Sequence, residues 1–98
     1  MAKIIEFSVG ARADFDESFD WYAKRSESAA IGFADALESA FDKILADPNW
    51  FSRTIRGCQY CNLKRYPFRV VFHQEETRIL IVAIAHAKRR PYYWRNRV

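Results

Sequence analysis

The C-terminal segment of the chain constrains the fold more than any other stretch. Residues 79–85 are all apolar and rich in β-branched side chains, and the chain then changes within one residue to His86, Lys88, Arg89 and Arg90. A short apolar run of this kind is typical of a strand that is buried on both faces and has a neighbour on each edge. The abrupt change to cations predicts that this strand ends at a surface.

The residues after this strand combine positive charge with aromatic rings. Pro91 interrupts the regular pattern, and a short basic tail containing Tyr92, Tyr93 and Trp94 follows it. Clustered cations beside exposed rings favour contact with a polyanion or a nucleic acid. We therefore expect the rest of the chain to cover the strand and to complete a site at its end.

Charge divides the chain into an acidic first half and a basic second half. Residues 1–47 hold ten acids and five bases, a net charge of −5, whereas residues 48–98 hold two acids and eleven bases, a net charge of +9. No acid occurs between Pro48 and Gln74. This asymmetry indicates an anionic partner for the second half, although a basic surface with no particular partner would explain the same charge.

Length and hydropathy limit the class of protein. The 98 residues predict one domain over residues 1–98. The apolar run over residues 79–85 is much shorter than the roughly 18 residues of a membrane-spanning segment, and residues 1–10 lack the apolar region of a signal peptide. We therefore expect a soluble, cytoplasmic protein that makes no membrane contact.

The cysteine spacing does not indicate a metal or redox site. Cys58 and Cys61 have the C-x-x-C spacing, but a zinc site would need two further ligands, for which only His73 and His86 are available. A disulfide is disfavoured in a chain without a secretion signal. The sequence therefore predicts two reduced thiols, no metal site and no cofactor.

Two amphipathic helices are predicted after a short strand over residues 3–8. An apolar stripe with helical spacing marks one helix over residues 11–24 and a longer one over residues 29–46. Ser8 or Gly10 can cap the first helix and Ser26 or Ser28 the second. Asp47-Pro48 ends the second helix, and the short connection between the two predicts an antiparallel hairpin.

Three strands are predicted in the second half, over residues 56–66, 68–73 and 78–86, after a loop over residues 49–55. Helices followed by a run of strands favour the α+β class. The predicted order is β-α-α-β-β-β, in which the helical hairpin covers one face of an antiparallel sheet and a short basic tail ends the chain.

This pattern resembles the RelE/ParE superfamily of bacterial type II toxins, also known as plasmid stabilisation proteins. The resemblance lies in YPFRVVF (residues 66–72), in IAHAKRRPYYW (residues 84–94) and in the helix-ending Asp47-Pro48. Members typically carry an aromatic–arginine pair at the third strand and a His/Arg-rich end to the fourth. The resemblance implies a toxin that inhibits growth until a cognate antitoxin wraps over its sheet and helices.

The branches of the superfamily imply different targets. ParE-like members inhibit DNA gyrase and are generally not nucleases, whereas RelE-like members cleave mRNA at the ribosome. If the chain is an enzyme, the resemblance implies a metal-independent endoribonuclease. The sequence leaves open whether the chain forms a homodimer.

The resemblance also assigns candidate site residues. Arg69 and Arg89 match by position the two arginines that RelE-like enzymes place at the scissile phosphate, and His86 could transfer a proton. These are the catalytic candidates for RNA cleavage, while Tyr92 or Tyr93 could stack on a base. The candidates for target binding are Lys64, Arg65, Lys88, Arg90, Tyr92 and Tyr93.

The second strand departs from the RelE-like pattern. RelE-like enzymes present lysines there, and counting back from Arg69 the corresponding positions are Tyr60 and Asn62. The acid-free stretch also supplies no carboxylate base. The sequence therefore favours ParE-like action without nucleolysis, with mRNA cleavage as the alternative and a non-toxic nucleic-acid-binding module as a third hypothesis.

Three candidate residues have structural alternatives. His86 could hydrogen-bond a backbone carbonyl at the strand end. Arg69 could form an ion pair with Asp14 or Asp20 of the first helix. Trp94 is expected to pack the tail onto the sheet rather than to stack on a base.

Overall fold

The predicted order of helices and strands is confirmed in the computed structural model, which describes residues 3–98. One further strand, of two residues, forms within the predicted loop over residues 49–55. The elements are β1 (Ile4–Phe7), α1 (Val9–Ala23), α2 (Glu27–Ala46), β2 (Ser52–Arg53), β3 (Gln59–Asn62), β4 (Phe68–Gln74) and β5 (Arg78–His86).

The strands form one sheet in the order β1-β5-β4-β3-β2. Successive strands from β2 to β5 pair antiparallel, as predicted, whereas β1 pairs parallel with β5. The parallel pairing of β1 with β5 follows from the number of chain reversals. The helical hairpin returns the chain to the end of the sheet at which β1 finishes, so β2 runs opposite to β1. The three turns from β2 to β5 then give β5 the same direction as β1. β5 lies between β1 and β4, which confirms the prediction of a neighbour on each edge.

Strand β3 is shorter than the segment over residues 56–66 that was predicted for it. A 3-10 turn covers Ile55–Gly57, and within it Arg56 and Gly57 have φ angles of 57° and 72°. Backbone in this left-handed region does not continue a strand. The strand therefore begins only at Gln59.

Serine side chains cap both helices at predicted positions. The Oγ of Ser8 accepts a hydrogen bond from the N–H of Ala11 at 3.0 Å, and the Oγ of Ser26 accepts one from the N–H of Ala29 at 3.2 Å. Each N-cap of this kind contributes about 1 kcal/mol. Within residues 3–98 no helix combines the length and apolar character that a membrane crossing requires.

The helices lie on one face of the sheet and enclose the larger apolar core. Phe33 of α2 is fully buried, and the ring centroids of Phe15, Tyr22 and Phe68 lie 6.0, 5.3 and 4.9 Å from its own. Alternation along the strands directs every second side chain into this core. The buried strand residues that share it include Phe68, Val70, Phe72, Ile79 and Ile81.

The opposite face of the sheet, here called the arm face, is covered by the end of the chain. Residues 87–98, the C-terminal arm, form turns and a final 3-10 turn at Arg95–Arg97. Trp94 is only 4% exposed and belongs to the core of this face, which confirms that it packs the tail onto the sheet. The other buried residues of this core are Cys58, Val71, Val82, Ala83 and Ala85.

The two cysteines lie on opposite sides of the sheet. Cys58 belongs to the core of the arm face, and Cys61 belongs to the core beneath the helices. Both are free and buried, and burial raises the pKa of both thiols. Neither thiol therefore has the low pKa that marks a reactive cysteine.

Strand β5 carries a β-bulge at Val82. Its pairing with β4 shifts by one residue between Ile81 and Ala83, so that Val82 is an extra residue. The carbonyl of Val82 accepts hydrogen bonds from Ser8 Oγ and from Arg97 Nη1, both at 3.1 Å. The bulge thereby joins β5 to the start of α1 and to the end of the chain.

Candidate functional site

A groove opens at the end of the sheet where β5 finishes and β4 begins. It has a volume of about 430 Å³ and lies between β3, the start of β4 and the C-terminal arm. We call it the arginine groove. The polar and aromatic side chains that line it include Tyr60, Asn62, Tyr66, Arg69, His86, Arg89, Arg90, Tyr92, Tyr93 and Trp94.

Strand register and a tight turn bring the three catalytic candidates to this groove. Arg69 pairs with Ala85 near the end of β5. The chain turns directly after β5, where the N–H of Arg89 donates to the carbonyl of His86 at 3.0 Å. Arg69, His86 and Arg89 therefore line one groove, and their roles in it stay predictions.

Two of the groove arginines lie on tyrosine rings. The Cζ atom of Arg69 is 4.0 Å from the ring centroid of Tyr60, and that of Arg89 is 3.9 Å from the ring centroid of Tyr93. A guanidinium group over a ring face is attracted by about 0.5–1 kcal/mol at an exposed site. The stacking restricts both side chains and leaves their N–H groups available to a partner.

The groove arginines form no ion pair within residues 3–98. Arg69 forms an ion pair with neither Asp14 nor Asp20, the carboxylates proposed for it, and Asp14 instead binds Arg97 at 2.7 Å. No carboxylate and no lysine lines the groove in the described part of the chain. Among residues 3–98, no acidic side chain therefore compensates the positive charge of the groove. The arginines that do form ion pairs are Arg12, Arg78 and Arg97.

His86 lies on the side of the sheet that faces the helices. It pairs with Phe68, and the two rings meet edge to face with centroids 4.9 Å apart. Its Nδ1 accepts a hydrogen bond from the N–H of Lys88 at 3.0 Å, rather than donating to a carbonyl. The neutral ring therefore carries its proton on Nε2, where it can donate a hydrogen bond but cannot accept a proton.

The other target-binding candidates surround the groove. Arg65 and Tyr92 have φ angles of 68° and 59°, and this left-handed conformation costs a residue with a side chain about 1–2 kcal/mol. Strained residues of this kind cluster at functional sites. Arg90, Tyr92 and Tyr93 line the groove, whereas Lys64, Arg65 and Lys88 are exposed on adjoining turns and do not line it.

A buried carboxylate joins the arm to α1, although the sequence suggested it only as an ion-pair partner of Arg69. Asp14 is 6% exposed, and its Oδ2 accepts hydrogen bonds from the N–H of Ile84 at 3.1 Å, the hydroxyl of Tyr93 at 2.9 Å and Nη1 of Arg97 at 2.7 Å. Burial, together with the hydrogen bond to Asp14, raises the pKa of Tyr93 far above its ordinary value. One feature of the sequence could have indicated that Asp14 is buried: it lies one helical turn after the apolar residue Ala11, which is also buried.

Comparison with known proteins identifies a family. A family model described as the ParE toxin of a type II toxin–antitoxin system, parDE, matches residues 5–91. A solved structure described as the chromosomal ParDE TA system from P. aeruginosa has a TM-score of 0.76 and 19% sequence identity, over 89% of this chain and 98% of that chain. That likeness shows a shared fold. None of the curated proteins matches the chain.

Proposed function

This chain belongs to the ParE toxin family of type II toxin–antitoxin systems, and we propose that it inhibits growth in the cytoplasm unless a cognate antitoxin binds it. The family match over residues 5–91 carries this assignment. The arginines of the groove, which form no ion pair among the described residues 3–98, support it. An exposed cationic surface suits both an anionic target and a neutralising partner with acidic segments.

The proposed target is DNA gyrase, with an action that does not involve nucleolysis. RNA cleavage by the 2′-hydroxyl needs a base for the hydroxyl proton and an acid for the leaving oxygen. No carboxylate and no lysine lines the groove within residues 3–98. Tyr93 is poorly suited to either role at neutral pH, since its hydroxyl is bonded to Asp14 and its pKa is raised.

The position of His86 also makes it unsuited to act as an acid or base together with Arg69. Residues that alternate along paired strands point to opposite faces, and His86 lies opposite Phe68 while Arg69 lies opposite Ala85. The side chains of His86 and Arg69 thus leave the sheet on different faces. The hydrogen bond from Lys88 to His86 Nδ1 would also have to break before the ring could be protonated there.

Cleavage of mRNA at the ribosome is the second candidate. One observation favours it: Arg69 and Arg89, the two residues matched to phosphate-binding arginines, line one groove together with His86. Two guanidinium groups can stabilise the charge that develops on a phosphorane. In this reading Tyr60 and Asn62 stand where RelE-like enzymes have lysines, so cleavage would depend on the arginines alone.

Supercoiling by purified gyrase tests the first candidate. We expect the protein to inhibit the supercoiling of relaxed plasmid, and Arg89→Ala to raise the concentration for half inhibition about tenfold, a typical effect of losing a charged group at an interface core. Arg12→Ala is the matched control, because it removes the same charge from the exposed surface of α1. Inhibition that is absent, or that both variants reduce equally, would contradict the proposal.

Expression without an antitoxin separates the candidates in cells. Growth arrest accompanied by the DNA-damage response supports gyrase as the target. Arrest with mRNA cuts in codon register, seen by primer extension, supports cleavage at the ribosome. Continued growth would support the third hypothesis, a nucleic-acid-binding module without toxicity.

A further inference from the structure

The C-terminal arm is held by a carboxylate for which the proposed toxin action gives no reason. Asp14 lies on α1, yet both of its oxygens accept hydrogen bonds from Arg97, at 2.7 and 3.3 Å, and Oδ2 accepts another from Tyr93. The Arg97 side chain is only 25% exposed and that of Asp14 only 6%. Charge-assisted bonds that are shielded from water in this way fix the geometry of their partners.

Tyr93 transmits this restraint to the arginine groove. Its hydroxyl donates to Asp14 at 2.9 Å, while its ring lies 3.9 Å from the Cζ of Arg89 and 5.0 Å from the Cζ of Arg97. The same ring therefore contacts one guanidinium that Asp14 holds and another that lines the groove. Because a tyrosine side chain has only two main torsions, fixing its hydroxyl also fixes the plane on which Arg89 rests.

Gly10 shows how closely the arm approaches α1. A Cβ atom at Gly10 would collide with the guanidinium of Arg97. Glycine at this position allows Arg97 to reach both the carboxylate of Asp14 and the carbonyl of Val82. The contact is thus accommodated by the backbone of α1 as well as by the side chains.

We propose that Asp14 is a positioning residue for the arginine groove. Asp14 acts through the ring of Tyr93 and thereby holds Arg89 in the position in which Arg89 meets the target. This inference rests on the proposed function, since it concerns how the same groove engages its target. Asp14 itself does not line the groove. Its influence passes through two contacts, the Tyr93 hydroxyl and the stacked Arg89.

Proton NMR of the full chain reads the position of Arg89 without any target. The ring current of Tyr93 should shift the side-chain signals of Arg89 upfield in the wild type. In Asp14→Asn we expect these signals to return towards random-coil values. Asp16→Asn is the matched control, because Asp16 lies on the same helix in an exposed pair with Arg12. Arg89 signals that stay upfield in Asp14→Asn would overturn the proposal.

Tyr93 variants decide the matter if Asp14→Asn does not fold. Tyr93→Phe keeps the ring but loses the bond to Asp14, so the Arg89 signals should lie between those of the wild type and of Tyr93→Leu, which has no ring. If Tyr93→Phe leaves the Arg89 signals at wild-type values, the hydroxyl bond does not position Arg89, and the proposal fails.

A double-mutant cycle separates positioning from a merely structural role. We expect Asp14→Asn to raise the half-inhibitory concentration against gyrase about tenfold, and to add little in an Arg89→Ala background, since contacting residues couple in such cycles. An equal effect in both backgrounds would show that Asp14 does not act through Arg89. If the wild type does not inhibit gyrase, the proposed function fails, while the NMR signals still decide the positioning of Arg89.

Discussion

The two faces of the sheet are closed by different means. On the helix side, α1 and α2 bury a continuous set of apolar and aromatic side chains around Phe33. On the arm face, the irregular residues 87–98 are held chiefly by the indole of Trp94 and by the contacts of Asp14 with Tyr93 and Arg97. The first closure depends on apolar area, and the second depends on a few specific contacts.

This difference indicates where the molecule can open. Segments with few buried apolar contacts open locally at a free-energy cost below that of global unfolding. The arm is a segment with few buried apolar contacts, and it forms one wall of the arginine groove. The segment that is easiest to release therefore includes Arg89, which is proposed to meet the target.

The largest effect is expected on the helix side. Phe33→Ala should lower the free energy of unfolding by about 3–5 kcal/mol, because it leaves a cavity among packed rings. Urea denaturation measures this loss. Ile31→Ala on the same helix is the control, since Ile31 is half exposed, and a loss there as large as at Phe33 would contradict the account of this core.

A smaller loss is expected when the arm is released. Trp94→Ala should cost about 1–3 kcal/mol, a common range for single substitutions, because the arm can detach while the remaining sheet stays folded. Amide hydrogen exchange should rise in residues 87–98 more than in β4. An equal rise in both segments would mean that the two faces unfold together, which would contradict a separate closure of the arm face.

The contact between Gly32 of α2 and Tyr66 of the groove predicts that Gly32→Ala has opposite effects on stability with and without the Tyr66 hydroxyl. A Cβ at Gly32 would collide with the hydroxyl of Tyr66, which donates to the carbonyl of Ala29 at 3.0 Å. Gly32→Ala should therefore destabilise the wild type. In a Tyr66→Phe background the hydroxyl is gone, and the same change should stabilise by up to about 1 kcal/mol through helix propensity. Thermal denaturation of the four proteins checks this, and the same sign in both backgrounds would refute the collision.

The smallest effect is expected from alkaline pH on the arm. The raised pKa of Tyr93 means that the folded protein favours the neutral phenol, first because of burial and second because of its bond to Asp14. This contribution to stability is complete below the unfolded value of about 10 and is lost as the pH rises above it. Stability should therefore fall less steeply above about pH 10 in Tyr93→Phe. Identical slopes for the two proteins would contradict this assignment, since Tyr22 and both cysteines are present in each.

Much of the fold could be predicted because it follows local patterns. The apolar stripes, the serine caps and the run over residues 79–85 each specify an element through nearby residues, and β5 ends at His86 as expected. The resemblance also pointed to Arg69, His86 and Arg89, which line one groove, while their roles there stay predictions. The bond between Asp14 and Arg97 could not be predicted, because it joins residues 83 apart through an arm that has no periodic pattern.

Two other features were not foreseen for related reasons. The parallel pairing of β1 depends on how many times the whole chain reverses, which no single segment records. The stacking of Arg69 on Tyr60 depends on the register between β3 and β4. From the sequence alone, Tyr60 was noted only because it stands where RelE-like enzymes have a lysine.

The bulge at Val82 changes the parity of β5. Odd-numbered residues such as Ile79 and Ile81 point to the helices before it, and even-numbered ones such as Ile84 do so after it. A relative with an unbroken strand would therefore need a gap of one position before its downstream residues could be equated with His86 and Arg89. If residue roles were transferred from such a relative by simple counting, they would be displaced by one position in β5 after the bulge.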